Sequence, residues 1–155
     1  MWTRKAGPLM LALALMLPPM AGTAFADGKL ETVATSKTFA ELQSALEAAV
    51  TANEMIVVSR ACASCGAAKR GVTIPGNMVV GVYRNDFAVR MLEASVPAGI
   101  EAPIRFYLTE NDDGTASLSY RLPSTVFTSY GSEELDGMAR ELDVIWAKIV
   151  EGATK

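Results

Sequence analysis

The 155-residue chain contains no histidine and only two cysteines, and these two scarcities remove most of the common catalytic chemistries. Without histidine the chain cannot form a cysteine–histidine nucleophilic pair, a histidine acid–base catalyst, a histidine-bound zinc hydrolase site or a c-type haem attachment. The cysteines are Cys62 and Cys65, in the motif C-A-S-C. The chemistry left to them is a disulfide, a reactive dithiol or a soft-metal site.

Long apolar runs are also scarce, and the one near the N-terminus has the composition of a secretion signal. Two basic residues, Arg4 and Lys5, precede an apolar stretch from Leu9 to Leu17, and Pro18-Pro19 follow directly after it. This run is too short to cross about 30 Å of hydrocarbon. It therefore predicts a signal peptide rather than a membrane anchor.

Cleavage is predicted between Ala26 and Asp27, because Ala24-Phe25-Ala26 provides the small-x-small pattern that signal peptidases recognise. We therefore expect a signal peptide over residues 1–26 and one mature domain over residues 27–155. The mature protein is expected to be periplasmic or secreted, with no stable membrane insertion after cleavage. Its 129 residues are enough for one domain with a single core.

Positive charge is the next scarcity. Removing the signal takes away Arg4 and Lys5 and no acidic residue, so 12 Lys and Arg face 17 Asp and Glu, a net charge of −5. No basic cluster occurs anywhere in the mature chain. This balance argues against nucleic acid and anionic membrane surfaces as partners and leaves the physiological partner unknown.

Periodicity predicts a single compact α+β domain, with a mixed or antiparallel sheet covered by helices. A strand is expected over Leu30 to Thr35, followed by a helix that a Thr38–Glu41 capping box opens. Met55 to Val58 is short, apolar and β-branched, and is predicted as a buried strand. The alanine-rich segment from Cys62 to Arg70 predicts a short helix.

The second half continues with a strand over Met78 to Tyr83 and a helix over Asn85 to Ala94. Residues 104–109 and 116–121 alternate apolar and polar side chains around the turn Asn111-Asp112-Asp113-Gly114, which predicts a hairpin with one buried and one solvated face.

A last helix is predicted from the N-cap Ser132, and Gly152 is expected to end it. Its apolar stripe is expected to pack on the sheet and consists of Leu135, Met138, Leu142, Ile145 and Ile149.

The hairpin region resembles the signature of domain-of-unknown-function family 302. The matching segments are Ile100 to Tyr107, Asp112-Asp113-Gly114 and Ser119-Tyr120-Arg121-Leu122-Pro123. Members have a leucine-proline entry to a strand, a D-G turn, and a returning strand that ends in tyrosine with a proline nearby. The similarity extends over about Leu30 to Ile149. It implies a compact α+β fold, a homodimer as an oligomeric state to test, and no established reaction.

This chain departs from that family in two places. Members often carry a histidine near the second helix and a glycine-asparagine-proline step after the third strand. Here no histidine is present, and Arg84-Asn85-Asp86 keeps only the asparagine. The two cysteines fall in the region where other members carry that histidine.

The C-A-S-C motif would follow a strand and open a helix, where unpaired backbone N–H groups stabilise a thiolate. Thioredoxin-like proteins share this local arrangement, but no tryptophan precedes Cys62 and the order of elements differs, so we interpret it as convergence. Three hypotheses remain: a structural disulfide, favoured by an oxidising compartment; a redox-active dithiol; and a soft-metal site for Cu(I) or Zn(II). Zinc would need further ligands from carboxylates or a second chain.

Other candidate groups give weaker patterns. Asp112 and Asp113 are a carboxylate pair, but aspartate is favoured in such turns for backbone reasons alone. Glu101 and Glu110 flank the hairpin and are expected in solvent. Arg84 and Arg90 could together hold an anion, although this spacing is common.

The sequence therefore favours an exported, non-enzymatic accessory or binding domain of unknown ligand, with a Cys62–Cys65 disulfide and no cofactor. The alternative is a periplasmic thiol–disulfide redox protein or a copper-handling protein that uses the same two cysteines. No catalytic residue is assigned.

Export gives the first testable prediction. Protein recovered from the periplasm of a Gram-negative host should begin at Asp27, because the small-x-small step ends at Ala26. Intact-mass measurement or N-terminal sequencing checks this, and a recovered protein that retains Met1 would overturn export.

Overall fold

The computed structural model describes residues 29–155, so the predicted signal peptide and the Ala26/Asp27 cleavage site lie outside the described residues. The strands are β1 (Glu31–Ala34), β2 (Ile56–Cys62), β3 (Asn77–Tyr83), β4 (Ile104–Glu110) and β5 (Ala116–Tyr120). The α-helices are α1 (Phe39–Ala52), α2 (Ala63–Ala68), α3 (Asn85–Ala94), α4 (Pro123–Phe127) and α5 (Glu133–Thr154). Short 3-10 helices cover Val96–Glu101 and Thr128–Tyr130.

All five strands form one sheet in the order β1-β5-β4-β3-β2, and every neighbouring pair is antiparallel. The predicted α+β class is confirmed, and of the two sheet types considered the mixed one is wrong. The predicted hairpin is the β4–β5 pair, in which Leu108 lies opposite Leu118. β1 and β2 are the two edge strands, so each has a sheet neighbour on one side only.

Local capping sets where the two main helices begin. The Thr38 hydroxyl accepts the Glu41 N–H at 3.4 Å, and the Glu41 carboxylate accepts the Thr38 N–H at 2.8 Å, which completes the predicted capping box of α1. At α5 the Ser132 hydroxyl accepts the Leu135 N–H at 3.3 Å, as its N-cap position predicts.

The core lies between one face of the sheet and the helices α1 and α5. Its centre is an aromatic stack in which the Trp146 ring lies on the Phe106 ring, with centroids 5.2 Å apart and planes inclined by 14°. Both side chains are fully buried. Trp146 adds to the predicted α5 stripe, in which Ile145 is only partly buried. This stack holds α5 against β4, the middle strand of the sheet, and the other elements pack around it.

Gly152 does not end α5, which continues to Thr154. It lies instead where α5 meets α1, and a Cβ atom at this position would lie 3.2 Å from the Cβ atom of Ala49. The glycine therefore serves close helix packing rather than termination.

The prediction that Met55 to Val58 forms a buried strand is wrong in part. Met55 is buried but lies before the strand, whereas Ile56 and Val58 are 57% and 49% exposed. The cause is the edge position of β2 together with a register shift between Val57 and Ser59, which leaves β-branched side chains in solvent. An apolar run of four residues cannot reveal this position.

The polar face of the hairpin is less solvated than its alternation predicts. Ser117 and Ser119 are 8% and 5% exposed. The Ser117 hydroxyl donates to the side-chain carbonyl of Asn111 at 3.0 Å, and the hydroxyls of Ser119 and Thr32 lie 2.9 Å apart. Short hydroxyl side chains can be covered here because each has a partner.

Two further points concern the helices. The sequence prediction did not include α4, whose five residues start at Pro123 and bury Pro123 and Phe127. No helix between residues 29 and 155 is long and apolar enough to cross a membrane.

The α5 interface gives the second prediction. Leu142 is 3% exposed, so Leu142→Ala should lower the free energy of unfolding by about 2–4 kcal/mol through lost burial and a cavity. Val144, on the same helix, is 58% exposed, and Val144→Ala should change it by less than about 0.5 kcal/mol. Urea unfolding of both variants checks this, and equal losses would contradict the placement of the stripe.

Candidate functional site

Cys62 and Cys65 are joined by a disulfide at the junction of β2 and α2, with their Cα atoms 5.3 Å apart. Cys62 is the last residue of β2 and the N-cap of α2, and Cys65 lies in the first turn of α2. The disulfide proposed from the sequence is thus present in the structure, and the predicted helix over Cys62 to Arg70 is shorter, ending at Ala68.

The two sulfurs differ in their surroundings. Cys62 is partly buried and packs against the hydrophobic core, whereas Cys65 is exposed. A thiol from solvent therefore meets the Cys65 side of the bond.

Hydrogen bonds converge on the Cys62 sulfur. It accepts the Cys65 N–H at 3.1 Å, and the Ser64 hydroxyl lies 3.5 Å away. The same hydroxyl accepts the Asn77 N–H at 3.1 Å, which connects α2 to the start of β3. The Asn77 side chain in turn donates to the Tyr107 hydroxyl. A negative charge on Cys62 would thus have a fixed N–H donor beside it.

Helix α2, which contains Cys65, contributes little to the hydrophobic core. None of the side chains of α2 is buried. The disulfide closes a loop between residues only three apart in sequence, which restrains the unfolded chain weakly.

Arg60, which lies on β2 two residues before Cys62 in sequence, forms an ion pair with Glu47. Arg60 donates to the Glu47 carboxylate at 2.7 and 2.8 Å, and this hydrogen bonding holds the pKa of Glu47 below its usual value. The pair fastens β2 to α1 and leaves Glu47 engaged. Among residues 29–155 no group of three or more Cys, Asp or Glu side chains is placed to hold a metal ion. The extra carboxylate ligands that zinc would need are therefore not assembled beside the cysteines in this part of the chain.

Met78 is a neighbour that the sequence reasoning did not connect with the motif. It lies directly opposite Cys62 in the β2–β3 register, and its side chain is buried. Directly opposed residues on antiparallel strands have Cβ atoms about 4.5–5.5 Å apart and share a sheet face. Only the strand register reveals this pairing, since 16 positions separate the two in sequence.

The structure does not bring the other carboxylate candidates to the disulfide. Asp113 accepts both the N–H and the hydroxyl of Thr115 within the turn, and these bonds lower its pKa. Glu110 accepts the Gly76 N–H at 2.6 Å, and Glu101 accepts the Tyr130 hydroxyl at 3.0 Å. These contacts stabilise turns and chain crossings.

Arg84 and Arg90 are both engaged with carboxylates. Arg84 donates to Asp86 at 2.8 and 3.1 Å, and Arg90 donates to Glu141 at 2.7 and 2.8 Å. Each pair lowers the pKa of its carboxyl group. The joint anion site considered from the sequence would have to displace both of these partners.

Comparison with known proteins adds a family and a fold. The model of the family described as "Domain of unknown function DUF302" matches residues 31–152. No protein of curated function gives a significant match. A crystal structure of an uncharacterized conserved protein DUF302 from Bacillus stearothermophilus has a TM-score of 0.72 and 16% sequence identity, over 81% of this chain and 98% of that chain. At this identity the likeness concerns the fold alone.

The weak restraint of the loop gives the third prediction. The Cys62→Ser, Cys65→Ser double variant should fold and lose about 2 kcal/mol of stability or less, because the closed loop is so short. Guanidinium unfolding of the variant beside the oxidised wild-type protein checks this. A loss above about 4 kcal/mol would make the bond a main support of the fold.

Proposed function

Since this chain belongs to the DUF302 family, whose name assigns no reaction, we propose a function from its own site: an exported accessory domain that exchanges its Cys62–Cys65 disulfide with the thiols of a partner protein. The observation that carries the proposal is a disulfide whose Cys65 is exposed, on a helix that buries no side chain. A disulfide that stabilises the fold only weakly and has one exposed cysteine is better suited to thiol exchange than to stabilisation.

Exposure determines which sulfur reacts first. A partner thiolate attacks the Cys65 sulfur, a new S–S bond forms there, and the Cys62–Cys65 bond breaks. Cys62 leaves as a thiolate, which the Cys65 N–H stabilises at 3.1 Å. A leaving thiolate of lower pKa leaves faster, so the donor accelerates this direction of attack.

The second step completes the exchange. A second thiolate of the partner attacks the partner's own sulfur in the mixed disulfide and releases Cys65 as a thiolate. Two electrons and two protons have then passed from the partner dithiol to this protein, which ends as a dithiol, while the partner ends as a disulfide. No metal or organic cofactor takes part in either step.

The expected compartment supports the same function. A disulfide persists in the periplasm or outside the cell, where thiols are not kept reduced. The signal peptide predicted over residues 1–26 would deliver the protein there.

Copper handling is the second candidate, and Met78 favours it. Thiolate and thioether sulfurs are the soft ligands that Cu(I) prefers. After reduction, Cys62 and Cys65 would supply two thiolates, and the thioether of Met78 lies across from Cys62 on the same sheet face. This function requires the reduced form, whereas exchange uses both forms.

A glutathione redox titration tests the exchange function. The reduction potential should lie above about −300 mV, since exposed disulfides are more oxidising than structural ones. Alkylation followed by intact-mass measurement gives the oxidised fraction, and the Cys62→Ser, Cys65→Ser variant controls for unrelated mass shifts. A pair that stays oxidised throughout the glutathione range would overturn the proposal.

Single-cysteine variants test the assigned roles of the two sulfurs. The Cys62 thiol of Cys65→Ser should have a pKa below about 8.5, because the N–H of residue 65 stabilises its thiolate, and it should lie below that of the Cys65 thiol in Cys62→Ser. The pH dependence of iodoacetamide alkylation gives both values. The reverse order would contradict attack at Cys65.

One further variant distinguishes copper handling from disulfide exchange. Met78→Leu should leave the glutathione titration unchanged, because the thioether takes no part in exchange. If the protein is instead isolated reduced with copper that survives dialysis, and Met78→Leu loses that copper, metal handling replaces exchange as the function.

A further inference from the structure

Acidic residues are absent from the part of the chain that carries the disulfide. Residues 55–85 contain no Asp or Glu, although the full chain has 17 of them. The same segment contains four basic residues, Arg60, Lys69, Arg70 and Arg84. It comprises β2, α2 and β3, so the disulfide lies in a basic segment of a chain whose overall charge is negative.

Two of these four cations are paired and two are not. Arg60 and Arg84 each donate to a carboxylate. Lys69 and Arg70 are exposed, and neither makes an ion pair or a side-chain hydrogen bond with any residue from 29 to 155. The cations that remain available are therefore the two that follow Cys65 most closely in sequence.

The end of α2 holds these two cations near Cys65. The Lys69 N–H donates to the Cys65 carbonyl at 3.3 Å, so Lys69 lies one helical turn after the exposed cysteine. Residues four apart on a helix have Cβ atoms about 5–6 Å apart. Gly71 then takes a left-handed conformation with φ of 74°, and the Val72 N–H donates to the Ala67 carbonyl at 3.0 Å, which closes the helix end.

Carboxylates from other elements at this end of the sheet are engaged or distant. Glu47 accepts from Arg60, and Glu110 accepts the Gly76 N–H at 2.6 Å. Asp112-Asp113 lie in the turn after β4, which is two strand spacings, about 10 Å, from β2. The positive charges beside the disulfide thus have no carboxylate partner within the described residues.

We propose that Lys69 and Arg70 form a docking surface for the thiol partner, whose reactive cysteine lies in a segment with acidic residues beside it. The proposal rests on the exchange function and names the chemistry of the partner. Acidic side chains pair with the two cations while the partner thiolate attacks the Cys65 sulfur, forms an S–S bond there and releases Cys62 as a thiolate. Opposite charges favour this encounter, because they raise the association rate and fix the orientation of the partner.

Two short peptides that differ only in charge test the partner class. One carries two Glu residues on each side of a single cysteine, and the other carries Gln at the same positions, so their sizes and shapes match. Intact-mass measurement after acid quenching gives the initial rate at which each forms a mixed disulfide with the oxidised protein. Each rate is divided by that of the same peptide with 2-hydroxyethyl disulfide, which is uncharged, because acidic neighbours raise the pKa of a thiol and lower its thiolate fraction.

The normalised rate of the Glu peptide should exceed that of the Gln peptide at least about fivefold at about 0.01 M ionic strength. The Debye length falls from about 30 Å under these conditions to about 3 Å at 1 M, so the preference should largely disappear at 1 M. The net negative charge of the whole chain would by itself favour the Gln peptide. Equal rates at low ionic strength, or a faster Gln peptide, would overturn the proposal.

Two double variants with the same change in charge locate the docking. Lys69→Gln with Arg70→Gln should remove the preference for the Glu peptide, because both cations near Cys65 are lost. Arg140→Gln with Lys148→Gln removes two exposed cations from α5 and should keep the preference. An equal loss in both double variants would show that the preference reports overall charge, and would contradict docking at α2.

Peptides in which serine replaces the cysteine measure docking without exchange. In NMR spectra the Glu version should shift the backbone amide resonances of Lys69, Arg70 and Gly71 of the oxidised protein, and the Gln version should not. If the glutathione titration overturns exchange, selective shifts would still support the docking surface. If the titration supports exchange and these resonances do not respond, the docking surface is wrong and the exchange function stands.

Discussion

The stack of Trp146 on Phe106 fixes the longest helix against the middle of the sheet, and the remaining architecture depends on that contact. Phe106 lies on β4, the middle strand of the sheet, with β5 and β1 on one side and β3 and β2 on the other. α1 then packs beside α5, where Gly152 permits the close approach to Ala49. Burial of these large side chains is the main favourable term in the stability of the domain.

The two ends of the β2–β3 pair lead into different helices. At one end the chain leaves the sheet into α2, which buries no side chain and presents Cys65 to solvent. At the other end β3 leads into α3, which buries Phe87, Ala88 and Met91.

The indole of Trp146 lies at the centre of the core, stacked on the Phe106 ring. Its ring supplies packing, and its Nε1 has no hydrogen-bond partner within residues 29–155. The disulfide adds little restraint to the unfolded chain, because it closes a loop between residues only three apart in sequence.

Local patterns in the sequence determined the elements that depend on near neighbours: the Thr38–Glu41 capping box, helix α3, and the β4–β5 hairpin. They also determined that the two cysteines lie at the start of a helix. Only the tertiary structure decided the exposure of Ile56, the packing role of Gly152 and the position of Met78 opposite Cys62. The physical reason is that strand order, register and helix contacts join residues far apart in sequence, and periodicity carries no information about which distant partner covers a given side chain.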